Sequence, residues 1–142
     1  MLANVIVQAE KLGKQVVSPE GELIILQDIS FSIHEGDTFA VIGVSGSGKS
    51  TLLGLMAGLD IPTAGRIILD GADLNTLDED GRARLRNQRV GFVFQSFMLL
   101  PGLTALENVM LPLELAGAVA PRKEAVERLQ EVGLAVHLLR MQ

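Results

Sequence analysis

The residues best suited to chemistry lie together in Gly43-Val44-Ser45-Gly46-Ser47-Gly48-Lys49-Ser50-Thr51. Gly43, Gly48, Lys49 and Ser50 fit the spacing G-x-x-x-x-G-K-[ST] of a P-loop. Glycines at 43, 46 and 48 permit backbone angles and close approaches that a Cβ would forbid. Successive N–H groups, those of Val44 and Ser45 included, can then turn inward as an anion nest at a helix N-terminus, where the dipole also favours negative charge. In such a nest Lys49 reaches β- and γ-phosphates and Ser50 gives its hydroxyl to Mg²⁺. Ser47 and Thr51 add hydrogen bonds to phosphate oxygens. A dinucleotide fingerprint is the near rival, but Thr51 stands where its third glycine is required.

A P-loop needs a strand before it and a helix after it. Phe39-Ala40-Val41-Ile42 is a short apolar run of strand type, and Leu52, Leu55, Met56 and Leu59 recur with helical spacing up to an end near Gly58. Upstream, alternation predicts a strand over 3–9 that ends near Gly13. A turn follows at Ser18-Pro19-Glu20-Gly21, then a strand from Leu23 to His34. Pro62-Thr63-Ala64-Gly65 turns into the strand Arg66–Leu69, which stops at Asp70-Gly71. Asp70 follows an apolar strand as a magnesium-binding aspartate would, but Asp-Gly is a turn signal and no acid follows it as a general base, so it reads as structural.

Thr76 and Glu79 have the spacing of a capping box for a helix from about Asp78 to Asn87, with Arg82, Arg84 and Arg86 as a solvated face. Arg89–Gln95 reads as a buried strand with an amide at its end, where α/β folds tend to place ligands. Thr104 and Glu107 make a second box for a helix carrying Leu106, Val109, Met110 and Leu113, which Pro112 should kink. Pro121 suits a first helical position, with Val126, Leu129 and Val132 on one side and Gly133 as the stop. The apolar residues Phe97, Met98, Leu99, Leu100 and Leu103 are either core or a partner surface.

The 142 residues are 48% hydrophobic and 20% charged, a globular balance. A net charge of −5 leaves no electrostatic footprint for nucleic acid, and the absence of cysteine excludes disulfides and thiolate chemistry. No run approaches the 18 or so apolar residues of a membrane span, so any membrane role is expected to come through a partner.

With these residues in view, the chain resembles the ATP-binding subunit of an ABC transporter. The likeness runs through GVSGSGKST, LMAGLDIPTAGRIILDG and VGFVFQSFMLLPGLTALENVMLPLEL, and is strongest to the group serving lipoprotein release and macrolide export. It implies an α/β P-loop NTPase core with an N-terminal antiparallel β subdomain and the start of a helical subdomain. One partial ATPase domain is expected, with β subdomain and P-loop core at 1–95 and the Q-loop and helical start at 96–142. ATP and Mg²⁺ are the implied cofactors. Lys49 and Gln95 become the catalytic candidates, Ser50 and Gln95 the metal contacts, and Val16 the adenine contact in place of the family's usual aromatic. Residues 96–113 are expected to meet a transmembrane permease subunit on the cytoplasmic face, and a second ATPase subunit is expected to complete a homodimer. The chain stops before the places of the family's LSGGQ signature, Walker B glutamate and switch histidine, which neither His34 nor His137 matches. On that basis it is expected to bind ATP without turning it over. Another P-loop nucleotide-binding module with no transport role is the alternative.

Overall fold

Period-two alternation and turn chemistry build the first half of the chain. The computed structural model describes residues 4–96 and 98–134. Strand β1 (Val5–Ser18) and strand β2 (Gly21–His34) form an antiparallel hairpin whose turn is closed by Ser18, its hydroxyl donating to the Gly21 carbonyl. β1 was expected to end near Gly13 but runs on, because pairing with β2 continues on the far side of that glycine. The cost is local irregularity: the register shifts between Ala9 and Leu12, and Lys11 and Asp28 take positive φ.

β3 (Ala64–Leu69) pairs antiparallel with β1, and β4 (Ala72–Asp73) with β3, giving the order β2-β1-β3-β4. Gly65 is required at its position, since a Cβ there would collide with the Glu10 and Lys11 carbonyls. Asp70 and Gly71 form the two-residue hairpin loop between β3 and β4 with φ of 47° and 79°, both positive as a type I′ turn demands. Asp70 therefore has the structural place its sequence suggested, and its carboxylate meets Arg89 at 3.0 Å.

Helix α1 (Lys49–Met56) lays Leu52 and Leu55 against the sheet, in a core with Leu12, Leu26, Ile67, Leu69 and Leu74. Helix α2 (Glu79–Arg89) follows a short 3-10 turn at Leu74–Thr76. Its cap differs from the expected one: the Asp78 carboxylate, and not Thr76, accepts from the Gly81 N–H at 2.8 Å. Thr76 is spent inside the 3-10 turn, donating its hydroxyl to the Asp73 carbonyl. The expected solvated arginine face is also corrected. Arg82 is only 7% exposed, because its guanidinium finds the Leu77 carbonyl and the Glu79 carboxylate, whereas Arg84 is exposed as read.

The runs Phe39–Ile42 and Arg89–Gln95, expected as strands, carry no ladder, and Arg89 belongs to α2. An apolar run becomes a strand only by pairing its N–H and C=O groups with a neighbour, and among the described residues neither run has one.

The chain divides into two compact units, Met1–Gly91 and Phe92–Gln142. Within the second, helix α3 (Ala105–Leu115) and helix α4 (Pro121–Glu131) pack through Leu106, Ala125 and Leu129. α3 runs through Pro112 to Leu115. It starts in the expected capping box: Thr104 Oγ1 accepts from the Glu107 N–H, and Glu107 Oε2 accepts from the Thr104 N–H at 2.7 Å. α4 has Pro121 in its first turn and Gly133 just past its end, and Val126 and Leu129 pack as expected beside Ala125, but Val132 is exposed.

The box makes α3 acid-sensitive. The Thr104 N–H and then its hydroxyl hold the Glu107 carboxyl below its ordinary value. A depressed folded pKa gives stabilisation that is complete above the unfolded value of about 4.3 and is lost as pH falls through the folded one. Glu107→Gln, which can still accept from Thr104, is expected to flatten this part of the acid response. Circular dichroism from pH 6 to 2 checks it, and superimposable acid profiles for the variant and the parent would contradict the assignment.

Candidate functional site

Between β2 and α1 the chain makes the glycine loop. Gly46 and Gly48 have φ of 81° and 88°, angles costly for any residue with a Cβ. A Cβ on Gly48 would stand 3.1 Å from the Ile25 carbonyl and 2.9 Å from Leu26 Cδ2, and one on Gly43 would strike Ser47 Oγ. The loop is therefore pressed onto β2 as closely as glycine allows. Lys49 Nζ donates to the Gly43 and Val44 carbonyls at 2.8 and 2.7 Å, strutting the loop from inside. The Ser47 N–H closes a turn onto the Val44 carbonyl at 3.2 Å.

Helix α1 then starts without a cap. The first N–H groups of a helix have no intrahelical acceptor. Here Gly48 offers no side chain to them and no acid stands in the first turn. By contrast, α2 and α3 have side-chain caps and first-turn acids. The uncapped end faces an open groove of about 450 Å³ lined by Leu23, Ile25, Ser45, Gly46, Gly48, Lys49, Ser50 and Thr51. Orphan donors, a dipole and an ammonium thus converge where, among the described residues, no carboxylate lines the wall, and the chemistry that fits is a polyphosphate.

Of the residues from Gly43 to Thr51, the groove is lined by Ser45, Gly46, Gly48, Lys49, Ser50 and Thr51, with Ser50 exposed toward solvent, while Gly43, Val44 and Ser47 shape the loop behind them without lining it. Among the described residues no cluster of three His, Cys, Asp or Glu side chains could hold a metal by itself. A cation here would share its coordination with the nucleotide. Val16 does not line the groove. It pairs with Leu23, which does, and directly paired residues present their side chains to the same face. Leu23 and Ile25 were expected only as strand residues and not as groove residues, although their i, i+2 spacing on one strand marked a shared face. Gln95 lies in the second unit at an exposed bend.

A glycine loop strutted by its own lysine and opening into an uncapped helix defines a P-loop nucleotide-phosphate site on an α/β frame. The family model for ABC transporters matches residues 26–141, and the chain belongs to that family. It is 47% identical over 140 residues to the uncharacterized ABC transporter ATP-binding protein YbbA of Escherichia coli (strain K12), covering 97% of this chain and 61% of that protein. It is likewise 47% identical to the lipoprotein-releasing system ATP-binding protein LolD of Legionella pneumophila (strain Paris), with coverage of 95% and 60%. A dimeric, post-hydrolysis structure of the ATP-binding cassette MJ0796 bound to ADP and Pi superposes with a TM-score of 0.83 at 36% identity, over 96% of this chain and 63% of that one. The chain thus spans about 61% of the length of the first of these relatives.

Proposed function

We propose that the chain is the ATP- and Mg²⁺-binding portion of a transporter ATPase subunit. The whole protein couples ATP binding and hydrolysis to export, or to lipoprotein or lipid release, through a transmembrane permease. The observation that carries this reading is the uncapped start of α1 facing a groove that also holds Lys49 and Ser50. The N–H groups of the loop bind and orient the phosphates, and Lys49 exchanges loop carbonyls for β- and γ-phosphate oxygens. Ser50 supplies a hydroxyl to Mg²⁺. When bound, that ion neutralises phosphate charge. Gln95 is assigned the family's Q-loop role, a contact to the metal and the attacking water. Residues 1–95 serve as β subdomain and P-loop core, and 96–142 as the Q-loop and the start of the helical subdomain.

Lipoprotein release is favoured among the cargoes by the likeness to the lipoprotein-releasing system protein LolD. Residues 96–113 are assigned to the permease. Met98 and Leu99 are 67% and 64% exposed, and the loop after them is stiffened by Asn108, which accepts from the Leu100 N–H at 2.8 Å and donates to the Leu103 and Thr104 carbonyls at 3.1 Å each. A fixed, solvent-facing apolar loop suits docking. The dimeric cassette supports a second ATPase subunit as the other partner, and attachment to the permease places the protein peripherally at the cytoplasmic face. No described helix is long and apolar enough to cross a membrane.

Calorimetry of the 142-residue chain with ATP, with and without Mg²⁺, tests the phosphate site. Mg²⁺ is expected to tighten binding, and Ser50→Ala to lose most of that gain. A Ser50→Ala variant with the full Mg²⁺ response would overturn the assignment. The base contact is a separate matter. With Val16 and Leu23 in place of a ring, discrimination between ATP and GTP is expected to be modest. Val16→Tyr is expected to tighten ATP binding by up to the roughly 1–3 kcal/mol of a base–aromatic stack. A wild type that strongly prefers adenine, together with a Val16→Tyr variant that binds no better, would place the base elsewhere.

A further inference from the structure

The far end of the P-loop helix is held by a side chain from α2. Gly58 lies just past Ala57, the C-cap of α1, locked to the helix by the Gly58 N–H on the Leu55 carbonyl at 3.0 Å and the Leu59 N–H on the Gly54 carbonyl at 2.9 Å. Gly58 is buried, and its carbonyl accepts from Arg86 Nη1 at 2.6 Å. Glu79 holds that guanidinium in place: its Oε1 meets Arg86 Nη2 at 3.2 Å and its Oε2 meets Arg82 Nη2 at 2.7 Å. Arg82 is buried and donates to the Leu77 carbonyl at 2.6 Å, which fixes the base of the bridge. None of these three residues approaches the groove, and the phosphate reading leaves them without a role.

The geometry points to Arg86 as a positioning residue for the phosphate site, acting through the Gly58 carbonyl to set the axis of α1, with Glu79 orienting its guanidinium. This rests on the ATP reading above. An eight-residue helix is about 12 Å long, so a 10° tilt about its middle moves each end by about 1 Å. A shift of that size at Lys49, Ser50 and the loop N–H groups spoils hydrogen bonds to phosphate, whose heavy-atom distances tolerate only a few tenths of an ångström. Leu52 and Leu55 fix the depth of α1 against the sheet, and an apolar contact resists tilt poorly because it has no preferred direction. The Arg86 hydrogen bond is directional, and its positive charge suits a helix C-terminus.

The test uses the full 142-residue chain and MgATP as the probe, with calorimetric affinity at 25 °C and the nucleotide-free thermal midpoint read for each variant. Arg86→Ala is expected to weaken MgATP binding roughly three- to tenfold while the chain remains folded. Arg86→Lys, whose ammonium can still donate to both Gly58 and Glu79, is expected to stay within about twofold of the parent. A merely structural arginine would lower the thermal midpoint and leave the affinity of the folded chain alone, and that outcome overturns the inference. Should Arg86→Ala fail to fold, Glu79→Gln decides: weaker MgATP binding supports the inference, and parental affinity overturns it. A parent chain that binds MgATP and loses it in Lys49→Ala, beside an unchanged Arg86→Ala, sinks this inference alone. A parent that binds no MgATP sinks the ATP reading and this one with it.

Discussion

Lys49→Ala is expected to abolish measurable ATP binding. Among the described residues Nζ is the one ammonium lining the groove, and hydrogen bonds to charged groups contribute about 1.5–3 kcal/mol each. Losing two of them weakens binding by at least about a hundredfold. The structure adds a second cost. The same Nζ bridges the Gly43 and Val44 carbonyls, so its removal leaves the loop without the strut that holds its curve before nucleotide arrives. Lys49→Arg separates the two effects, since it keeps the charge on a planar fork that does not match the lysine's place between the carbonyls. It is expected to bind weakly but measurably. Calorimetry with MgATP reads all three proteins, and parental affinity in Lys49→Ala would remove the basis for a P-loop.

The largest effect on stability is expected from Leu55→Ala. Leu55 is fully buried on α1, in the cluster that joins the helix to β1, β2 and β3. Truncation there removes transfer free energy and leaves a cavity, a combined loss of about 2–5 kcal/mol. Because α1 carries the phosphate site, MgATP is expected to recover part of the loss by mass action. Urea unfolding followed by circular dichroism, with and without MgATP, measures both. A loss below about 1 kcal/mol would mean that the helix is not seated as described.

Features set within a few residues were legible from the sequence. The glycine loop, the Thr104–Glu107 box, Pro121 at a helix start, Gly133 at a helix end and the Asp70-Gly71 turn each depend on φ/ψ preferences or hydrogen bonds spanning three or four positions. In each case the residue types alone restrict the backbone. The Thr76 cap failed at the same range for a different reason. Two candidate side chains, Thr76 and Asp78, stood near one helix start, and the choice turned on the Asp73 carbonyl that engaged the Thr76 hydroxyl first.

By itself the sequence located a glycine loop of P-loop spacing directly ahead of a helix and the family to which the chain belongs, because such a loop is made by backbone that only those residue types permit. The tertiary structure decided what the loop rests on and what holds the helix behind it. Leu23 and Ile25 became walls of the groove through the close approach of β2 to Gly48, and Arg86 reached a carbonyl 28 residues away in sequence. It also decided that Arg82 is buried and that Phe39–Ile42 is not a strand, since burial and strand pairing depend on distant neighbours that no local pattern encodes.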